Sequence, residues 1–192
     1  FGTGKSTVAG IMADEGALVI DADRIAHEII MPGSSQHELI AAHFGKAVLK
    51  ESGQIDRRVL GKIVFKSGAG DQLDKLCRIV HPEVITIIKK RIKELKEQDS
   101  NQLIVLDAPL LFETGLEKTV DKVIVVETDR KKQIERCQRA YNNITEEEIL
   151  NRINTQMPLE EKIARADFII DNNGSEDNTR DHVKKFLFKI LS

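Results

Sequence analysis

The sequence predicts an α/β fold in which helices cover both faces of a parallel sheet. Short runs of apolar residues alternate along the chain with longer segments whose apolar residues recur at helical spacing. Strands that are apolar on both faces are typical of a parallel sheet, and each parallel connection needs a crossover segment, usually a helix. The length of 192 residues suits one globular domain and leaves room for an inserted subdomain.

Four short apolar runs predict the strands of this sheet, at residues 18–20, 103–106, 123–126 and 168–170. An acidic residue follows each run closely, in the order Asp21, Asp107, Glu127 and Asp171. The apolar spacing predicts helices at residues 5–15, 35–44, 57–66, 71–96, 130–139, 145–156 and 177–191. The region between the first two strands is mostly helical, so any subdomain is expected to be an insertion there.

Local signals indicate several helix ends. Gly16 is a C-cap stop for the first helix, and Ser35 is placed to cap the second. Thr145 with Glu148 fits a capping box. Pro82 removes a hydrogen bond and clashes with the preceding turn, so the long helix that contains it is expected to break or kink there.

The composition limits the classes of partner. There are 31 acidic and 29 basic residues, which gives a net charge of −2 and a pI near 6.3. Such a chain has no overall field for nucleic acid or an anionic membrane, and no apolar run approaches the roughly 18 residues of a membrane span. Cys77 and Cys137 are too few for a disulfide framework, and no signal-peptide core opens the chain. We therefore expect a cytoplasmic protein that binds neither nucleic acid nor membrane, as a monomer or weak homo-oligomer.

The strongest chemical signal opens the first helix and consists of Gly2-Thr3-Gly4-Lys5-Ser6-Thr7. It matches the end of a Walker A loop, whose backbone N–H groups and helix N-terminus hold the phosphates of a nucleotide. Lys5 would bridge the β- and γ-phosphates of ATP, and the Ser6 hydroxyl would bind Mg²⁺. The alternative is a glycine-rich helix start that binds no phosphate. The buried strand that ends in Asp21 favours the phosphate loop.

The first glycine of a Walker A loop would fall two residues before Phe1, and the strand that feeds the loop would lie further upstream. We therefore expect roughly ten native residues to precede Phe1. With that strand, the four predicted strands make a parallel five-stranded sheet of the P-loop NTPase type.

Other features separate the classes of P-loop protein. A GTPase needs an Asn-Lys-x-Asp motif after a later strand, and the acidic segments that follow the third and fourth strands lack the lysine. A nucleotide-dependent switch needs an Asp-x-x-Gly motif, and Leu110 stands in the glycine position after Asp107. Small-molecule kinases place an acidic residue near the end of the second strand and arginines on lid helices. Asp23 and three arginines fit that pattern: Arg136, Arg139 and Arg152.

Longer motifs make the comparison specific. They are, in chain order, Val19-Ile20-Asp21-Ala22-Asp23-Arg24-Ile25-Ala26 with Pro32-Gly33, His43-Phe44-Gly45, Ile55-Asp56-Arg57, His81-Pro82, Pro109-Leu110-Leu111-Phe112-Glu113, and Ala166-Asp167 through Asp171-Asn172-Asn173-Gly174. Together they resemble the dephospho-CoA kinase family. The resemblance implies a nucleotide-binding core at residues 1–24 and 99–192, a helical acceptor-binding insertion at residues 25–98, and a helical lid at residues 140–160.

The resemblance also implies the reaction, which transfers the γ-phosphoryl group of ATP, with Mg²⁺, to the ribose 3′-hydroxyl of dephospho-CoA. Asp23 matches the family's base for the hydroxyl proton, with a helix N-cap as its alternative role. Asp107 ends its strand where a carboxylate would hold Mg²⁺ together with Ser6, and a cap is again the alternative. Asp21 is either a cap or a partner of the Mg²⁺. Other P-loop nucleoside or nucleotide kinases remain the second hypothesis, and a nucleotide-dependent switch the third.

Basic residues complete the implied site. Arg139, at the lid entry before Asn142 and Asn143, would join Lys5 in neutralising phosphate charge, whereas Arg130 and Arg136 are expected to be solvated. On the acceptor side, Arg57 would bind the diphosphate of dephospho-CoA.

Uncharged and acidic residues complete the remaining surfaces. His81, Pro109 and Leu110 would shape the acceptor pocket. Glu113 is either a ligand of a substrate hydroxyl or Mg²⁺-bound water, or a solvated carboxylate. Asn173 and Gly174 would lie beside the adenine, and an Asn-Gly turn between strand and helix would serve equally well without a ligand.

Overall fold

A computed structural model of the chain describes residues 1–66, 68–141 and 144–191. Its helices and strands, in chain order, are α1 (Lys5–Asp14), β1 (Leu18–Asp21), α2 (Ala22–Glu28), α3 (Ser35–Phe44), α4 (Arg57–Val64), α5 (Gly70–Gln98), β2 (Ile104–Asp107), β3 (Ile124–Glu127), α6 (Arg130–Ala140), α7 (Glu146–Asn154), α8 (Leu159–Ala164), β4 (Phe168–Asp171) and α9 (Glu176–Leu191). Two 3₁₀ turns lie at Lys46–Val48 and Leu116–Thr119. The alternation of strands with helices confirms the α/β class.

The strands pair in parallel, as the sequence predicts. β1 lies beside β2, so that Asp21 is opposite Asp107 at their carboxyl ends. β3 lies beside β4 in the same way, with Glu127 opposite Asp171. Each strand includes the acidic residue that follows its apolar run, and each strand pair therefore ends in two neighbouring carboxylates.

Among the described residues these strands form two sheets of two strands each, not the single five-stranded sheet expected from the sequence. A cavity of about 350 Å³ lies between β2 and β3. Its apolar wall comes from both strands and from α1 and α9, through Val8, Met12, Val105, Ile124, Val126 and Phe186. The two sheets are thus joined by packing against α1, which contacts both β2 and β3.

Two separate apolar clusters stabilise the helical region between β1 and β2. One cluster lies within this region, among α3, α4 and the segment between them, and contains Ile40, Val48, Ile55, Leu60 and Val64. A second cluster joins α2 and α5 to β1 through residues that include Ile20, Ile25, Val84 and Ile88. The long helix α5 is therefore the element that connects the helical region to the sheet.

Of the break or kink expected at Pro82, the break is wrong, because α5 runs through this residue without interruption. Val84 and Ile88 are buried in the following turns, and the Thr86 hydroxyl donates to the Pro82 carbonyl at 2.8 Å. Burial of these turns outweighs the single backbone hydrogen bond that proline removes.

Two of the three predicted helix-end signals are confirmed. Gly16 has a φ of 97° just after α1, and Thr145 and Glu148 form a capping box at the start of α7. The cap of α3 is corrected by one residue, because the Ser34 hydroxyl accepts the His37 N–H at 3.1 Å. In the described part of the chain, no helix has both the length and the apolar composition that crossing a bilayer requires.

Candidate active site

The glycine-rich segment forms a tight loop at the N-terminus of α1. Gly2 and Gly4 adopt left-handed conformations, with φ of 77° and 93°, which residues with a Cβ atom rarely adopt. A Cβ atom on Gly4 would also collide with the side-chain amide of Asn172. Gly4 is the N-cap of α1 and its carbonyl accepts the Val8 N–H at 3.1 Å. The first N–H groups of α1 have no partner within the helix, which is the arrangement that binds phosphate.

Lys5 and Ser6 extend from the first turn of α1 towards the end of β2. Burial lowers the pKa of Lys5, and the negative charges of Asp107 and Asp23 act in the opposite direction. The Ser6 hydroxyl donates to Asp107 Oδ2 at 2.8 Å. The structure therefore brings together the predicted phosphate lysine, the predicted Mg²⁺ hydroxyl and the carboxylate of β2.

Asp23 and Asp21 are separated in role by their positions at the start of α2. Asp21 is the N-cap, and its carboxylate accepts the Arg24 N–H at 3.0 Å. Asp23 is the second residue of α2 and is exposed. Desolvation of its carboxyl group still raises the pKa, the charge of Lys5 lowers it, and the charges of Asp21 and Asp107 raise it. The capping role that the sequence left open for Asp23 thus belongs to Asp21, and Asp23 is available for other chemistry.

The oxygen atoms at the end of β2 have the chemistry that Mg²⁺ requires. Within residues 1–66, 68–141 and 144–191, His, Cys, Asp and Glu side chains form no cluster of three that could hold a metal ion. The neighbouring pair is instead the Ser6 hydroxyl and the Asp107 carboxylate. Mg²⁺ prefers oxygen ligands, keeps several waters and takes others from substrate phosphates, so one hydroxyl and one carboxylate fit it.

Asn173 joins the ends of β3 and β4. Its side-chain oxygen accepts the Asp129 N–H at 2.8 Å, and its backbone carbonyl accepts the Lys132 ammonium at 2.6 Å. Its own N–H donates to Asp171 at 2.8 Å. These groups are occupied within the protein, whereas Gly174 is exposed. The strand-to-helix turn is therefore present, and the adenine contact stays a prediction.

The arginines of α6 differ from expectation. Arg139 is exposed in the last turn, and in the described part of the chain it makes neither a hydrogen bond nor an ion pair. Arg136, expected to be solvated, is partly buried and donates to the Asn172 carbonyl at 2.8 Å and to the Thr3 carbonyl at 3.3 Å. Arg136 therefore contacts the phosphate loop, and the prediction of a solvated side chain is wrong.

The acceptor-side residues lie around the end of β2. Arg57, at the start of α4, is exposed and close enough to Asp23 for its charge to lower that carboxyl's pKa. His81 is partly buried on α5, where burial lowers the pKa of its imidazole and the charge of Glu113 raises it. Pro109 and Leu110 are partly buried in the turn that follows β2.

The Glu113 carboxylate is bonded within the protein through Oε1, and its contact with a substrate hydroxyl or Mg²⁺-bound water stays a prediction. The Lys162 ammonium lies 2.8 Å from Glu113 Oε1, and the two side chains are 14% and 21% exposed respectively. The Met157 N–H donates to the same carboxylate oxygen at 2.8 Å, and Lys162 also donates to the Pro109 carbonyl at 3.1 Å. Burial raises the pKa of Glu113, but the hydrogen bonds from Lys162 and Met157 have the larger, opposite effect. The pKa of Glu113 therefore lies below its ordinary value of 4.5.

Arg152 of α7 stacks on aromatic rings from three segments. Its guanidinium carbon lies 5.3 Å from the ring centre of Phe1, 5.1 Å from that of Phe65 and 6.0 Å from that of Tyr141. Phe65 directly follows α4, so the stack connects α7 both to the phosphate loop and to the helical region. Asn142 and Asn143, part of the predicted lid entry, lie outside the described residues.

Sequence reasoning missed two residues of this site and undervalued a third. The sequence indicates no role for Lys162 or Asn172, and it predicts that Arg136 is solvated. Asn172 was inside a quoted motif, but nothing in the order of residues indicates that its amide reaches Thr3, 169 positions away. Lys162 occurs in an ordinary charged helix, and its position offers no signal before the fold is known.

Comparison with known proteins agrees with this geometry. The sequence profile described as dephospho-CoA kinase matches residues 1–178. The chain is 46% identical over 187 residues to a dephospho-CoA kinase of Carboxydothermus hydrogenoformans, which covers 97% of this chain and 89% of the relative. It is 42% identical over 191 residues to a dephospho-CoA kinase of Syntrophotalea carbinolica, with 100% and 89% covered.

Solved structures give the same comparison in three dimensions. A crystal structure of TT1252 from Thermus thermophilus superposes with a TM-score of 0.76 at 32% identity, over 98% of this chain and 93% of that one. The dephospho-CoA kinase from Campylobacter jejuni superposes with a TM-score of 0.68 at 31% identity, over 100% and 93%.

Proposed function

The chain belongs to the dephospho-CoA kinase family and phosphorylates dephospho-CoA with ATP, the last step of CoA biosynthesis, and we propose how its own residues carry out this transfer. The observation that carries the assignment is the meeting of three groups at one sheet edge. These groups are Lys5 at the start of α1, the carboxyl group of Asp23, whose charge interacts with those of Lys5 and Asp107, and the Asp107 carboxylate bonded to Ser6. Phosphoryl transfer depends on positioning and on charge stabilisation, and these groups supply both.

The phosphate loop binds the donor. Backbone N–H groups from Gly2 to Thr7 and the N-terminus of α1 hold the β- and γ-phosphates, and the Lys5 ammonium lies against the oxygen between them. Burial of Lys5 removes water that would compete with phosphate oxygens, and this strengthens the interaction. Thr3 contributes through its backbone, since its side chain is buried away from solvent.

Asp23 is the base. It accepts the proton of the ribose 3′-hydroxyl, or orients that hydroxyl, as the bond to the γ-phosphorus forms and the bond to the leaving ADP oxygen breaks. The support is that Asp21 already caps α2, so capping does not explain the position of the Asp23 carboxyl group near Lys5. A base whose pKa is raised by desolvation also accepts a proton more readily.

Ser6 and Asp107 hold Mg²⁺. The hydroxyl and the carboxylate are neighbours at 2.8 Å, and both offer the oxygen atoms that this ion requires. Bound there, the ion would neutralise charge on the β- and γ-phosphates.

The acceptor binds against the helical insertion at residues 25–98. Arg57 faces its diphosphate, and His81, Pro109 and Leu110 shape the pocket around its ribose and adenine. The support is the position of Arg57 close to Asp23 and of His81 close to Glu113. The remaining residues, 1–24 and 99–192, form the nucleotide-binding core, with Asn173 and Gly174 beside the donor adenine.

Residues 140–160 are the lid, and Arg139 at its entry neutralises charge on the transferred group once ATP is bound. The support for Arg139 is its exposure, which leaves its guanidinium available to a ligand. The support for a moving α7 is that Arg152 contacts Phe1 and Phe65 by stacking, which a small shift of the helix can break. Closure excludes water that would otherwise hydrolyse ATP.

A fifth strand completes the sheet between β2 and β3. The support is the apolar cavity between these two strands, which extends to Lys5 and Asp107 and so reaches the phosphate loop. A strand placed there would satisfy the facing backbone edges of both neighbours.

The protein works in the cytoplasm as a monomer or weak homo-oligomer, without nucleic acid or membrane partners. Its support is a net charge near zero and the two free cysteines, which suit a reducing compartment.

The test is ADP release from MgATP by the full-length protein, measured with and without dephospho-CoA. We expect ADP to form in proportion to added acceptor, and CoA with a new ribose 3′-phosphate to appear by mass spectrometry. Adenosine, AMP and other nucleosides serve as control acceptors, and preference for one of them would indicate a different small-molecule kinase. ATP binding with no response to any acceptor would indicate a nucleotide-dependent switch.

A further inference from the structure

Asn172 follows β4 and packs against the phosphate loop. Asn172 is 6% exposed, and its side-chain Nδ2 donates to the Thr3 carbonyl at 2.8 Å. The Thr179 hydroxyl, which is completely buried on α9, donates to Asn172 Oδ1 at 2.7 Å. A carbonyl can only accept, so the end of the amide that faces Thr3 is the NH₂ group, and Thr179 holds the other end.

Arg136, on α6, donates to the backbone carbonyls of both Asn172 and Thr3. Its Nη2 atom donates to the Asn172 carbonyl at 2.8 Å, and its Nη1 atom lies 3.3 Å from the Thr3 carbonyl. The Thr3 carbonyl therefore receives donors from two different elements. Buried networks in which every member is bonded are rigid and specify one arrangement.

We infer that Asn172, with Thr179 and Arg136, is a positioning residue that sets the conformation of the phosphate loop, a role that rests on the proposed function. Thr3 and Gly4 share one planar peptide group, in which the Thr3 carbonyl and the Gly4 N–H point in opposite directions. A carbonyl held towards Asn172 therefore turns the Gly4 N–H away from Asn172, to the side where phosphate binds. The left-handed φ of 93° at Gly4 is the backbone that this orientation requires.

A purely structural network would only tie α9 to α1, and the two roles make different predictions. A structural tie changes the melting temperature. A positioning network also changes the affinity for ATP, because a rotated peptide group withdraws one N–H from the phosphates. Neither role predicts a change in the affinity for dephospho-CoA.

The test compares Thr179→Val, which removes the hydroxyl at nearly constant volume, with Thr179→Ser, which keeps it. We expect Thr179→Val to raise the KM for ATP about tenfold, equivalent to about 1.4 kcal/mol, with an unchanged KM for dephospho-CoA. Thr179→Ser restores the wild-type value. Arg180→Met is the matched control on the next residue, because it removes ion pairs of α9 with Asp14 on α1 and with Glu176 but no hydrogen bond to Asn172 or the phosphate loop.

An unchanged KM for ATP in a folded Thr179→Val protein would overturn the inference, and so would an equal rise in Arg180→Met. If Thr179→Val does not fold, Arg136→Lys takes its place, since lysine cannot bond both carbonyls at once. Calorimetric binding of the β,γ-imido analogue of ATP with Mg²⁺, without acceptor, gives a second measure. This binding still tests the positioning role if dephospho-CoA proves not to be the acceptor.

Discussion

The proposed nucleotide side and the proposed acceptor-and-lid side of the molecule are held in place by different kinds of contact. On the nucleotide side, the phosphate loop is bonded by the buried Asn172, which the buried Thr179 holds in turn, and by Arg136. Asn172 and Thr179 are 6% and 0% exposed. On the acceptor-and-lid side, the contacts are made by long side chains. The Glu113–Lys162 pair connects the turn after β2 to α8, and Arg152 connects α7 to Phe65 by stacking alone.

The difference matches what each side has to do. Short buried side chains leave few alternative arrangements, so the phosphate loop is formed before ATP arrives. Long side chains at a partly exposed surface can release and form again at small free-energy differences, as a lid and an acceptor pocket require. Variants that each change one side chain on one of these two sides test this difference.

Asp23→Asn is expected to have the largest effect, because it removes the proposed base and leaves the fold unchanged. We expect kcat to fall by about two to four orders of magnitude, the usual range for a general base. Steady-state ADP release with saturating MgATP and dephospho-CoA measures it. Asp21→Asn is the matched control, because asparagine still accepts the Arg24 N–H as a helix cap. A larger loss in Asp21→Asn than in Asp23→Asn would exchange the two assignments.

The same variant has an opposite effect on stability. Desolvation raises the pKa of Asp23 above its ordinary 3.8, so the folded chain holds this proton more tightly than the unfolded chain. The free energy of unfolding therefore falls as pH rises from 3.8 through the raised pKa, and at neutral pH the ionised carboxylate destabilises the fold. We expect Asp23→Asn to melt no lower than the wild type at pH 7. The acid limb of the wild-type kcat profile should lie above pH 3.8.

Glu113→Gln is expected to weaken the acceptor side while sparing ATP. The uncharged amide keeps an acceptor for the Met157 N–H but loses the ion pair with Lys162, so the Pro109 carbonyl is held less firmly. We expect a rise of about fivefold to tenfold in the KM for dephospho-CoA, and a loss of about 1–2 kcal/mol in the free energy of unfolding. Initial rates and urea denaturation measure these quantities.

The control for Glu113→Gln is Glu117→Gln, which breaks a neighbouring ion pair with Arg165. Equal rises in the KM for dephospho-CoA in both variants would contradict a specific role of Glu113 in acceptor binding. The net pKa of Glu113 is lowered from 4.5, so its stabilising charge is present above that pH and is lost as pH falls through the lowered pKa. The stability difference between Glu113→Gln and the wild type should therefore shrink on acidification.

Arg152→Leu is expected to loosen the lid by about 1 kcal/mol, the sum of partly exposed cation–π contacts. ADP formed without acceptor should rise a few-fold relative to acceptor-dependent ADP, because a looser lid admits water. Arg152→Lys separates stacking from charge, since lysine keeps the charge but stacks less well. Full recovery in Arg152→Lys would mean that Arg152 acts through charge on the phosphates and that the aromatic rings are incidental.

Thr145→Ala is expected to have the smallest effect. It removes the capping box of α7 and should cost about 1 kcal/mol locally, which hydrogen exchange of residues 146–154 would detect. Ser34→Ala, which removes the equivalent cap from α3, is the control. If only Thr145→Ala increases acceptor-independent ADP, the order of α7 governs water exclusion, whereas equal increases would contradict this link.

The sequence alone determined what depends on short stretches of chain. The four strands follow from runs of four or fewer apolar residues, the first helix from Gly4 and Lys5, and the capping box from Thr145 and Glu148. These features arise from backbone conformation and hydrogen bonds within a few residues, so local order is sufficient information. The motifs, taken in their order along the chain, likewise indicate the family without any coordinates.

Tertiary structure decided what depends on distant segments meeting. It showed that Asp21 caps α2 while the Asp23 carboxyl group lies near the charge of Lys5, that α5 continues through Pro82, and that the strands pair on either side of a cavity. It also brought Asn172 to Thr3 and Lys162 to Glu113. Burial, pKa shifts and long-range hydrogen bonds are properties of the packed molecule, because each depends on the free energy of the whole fold rather than on neighbouring residues.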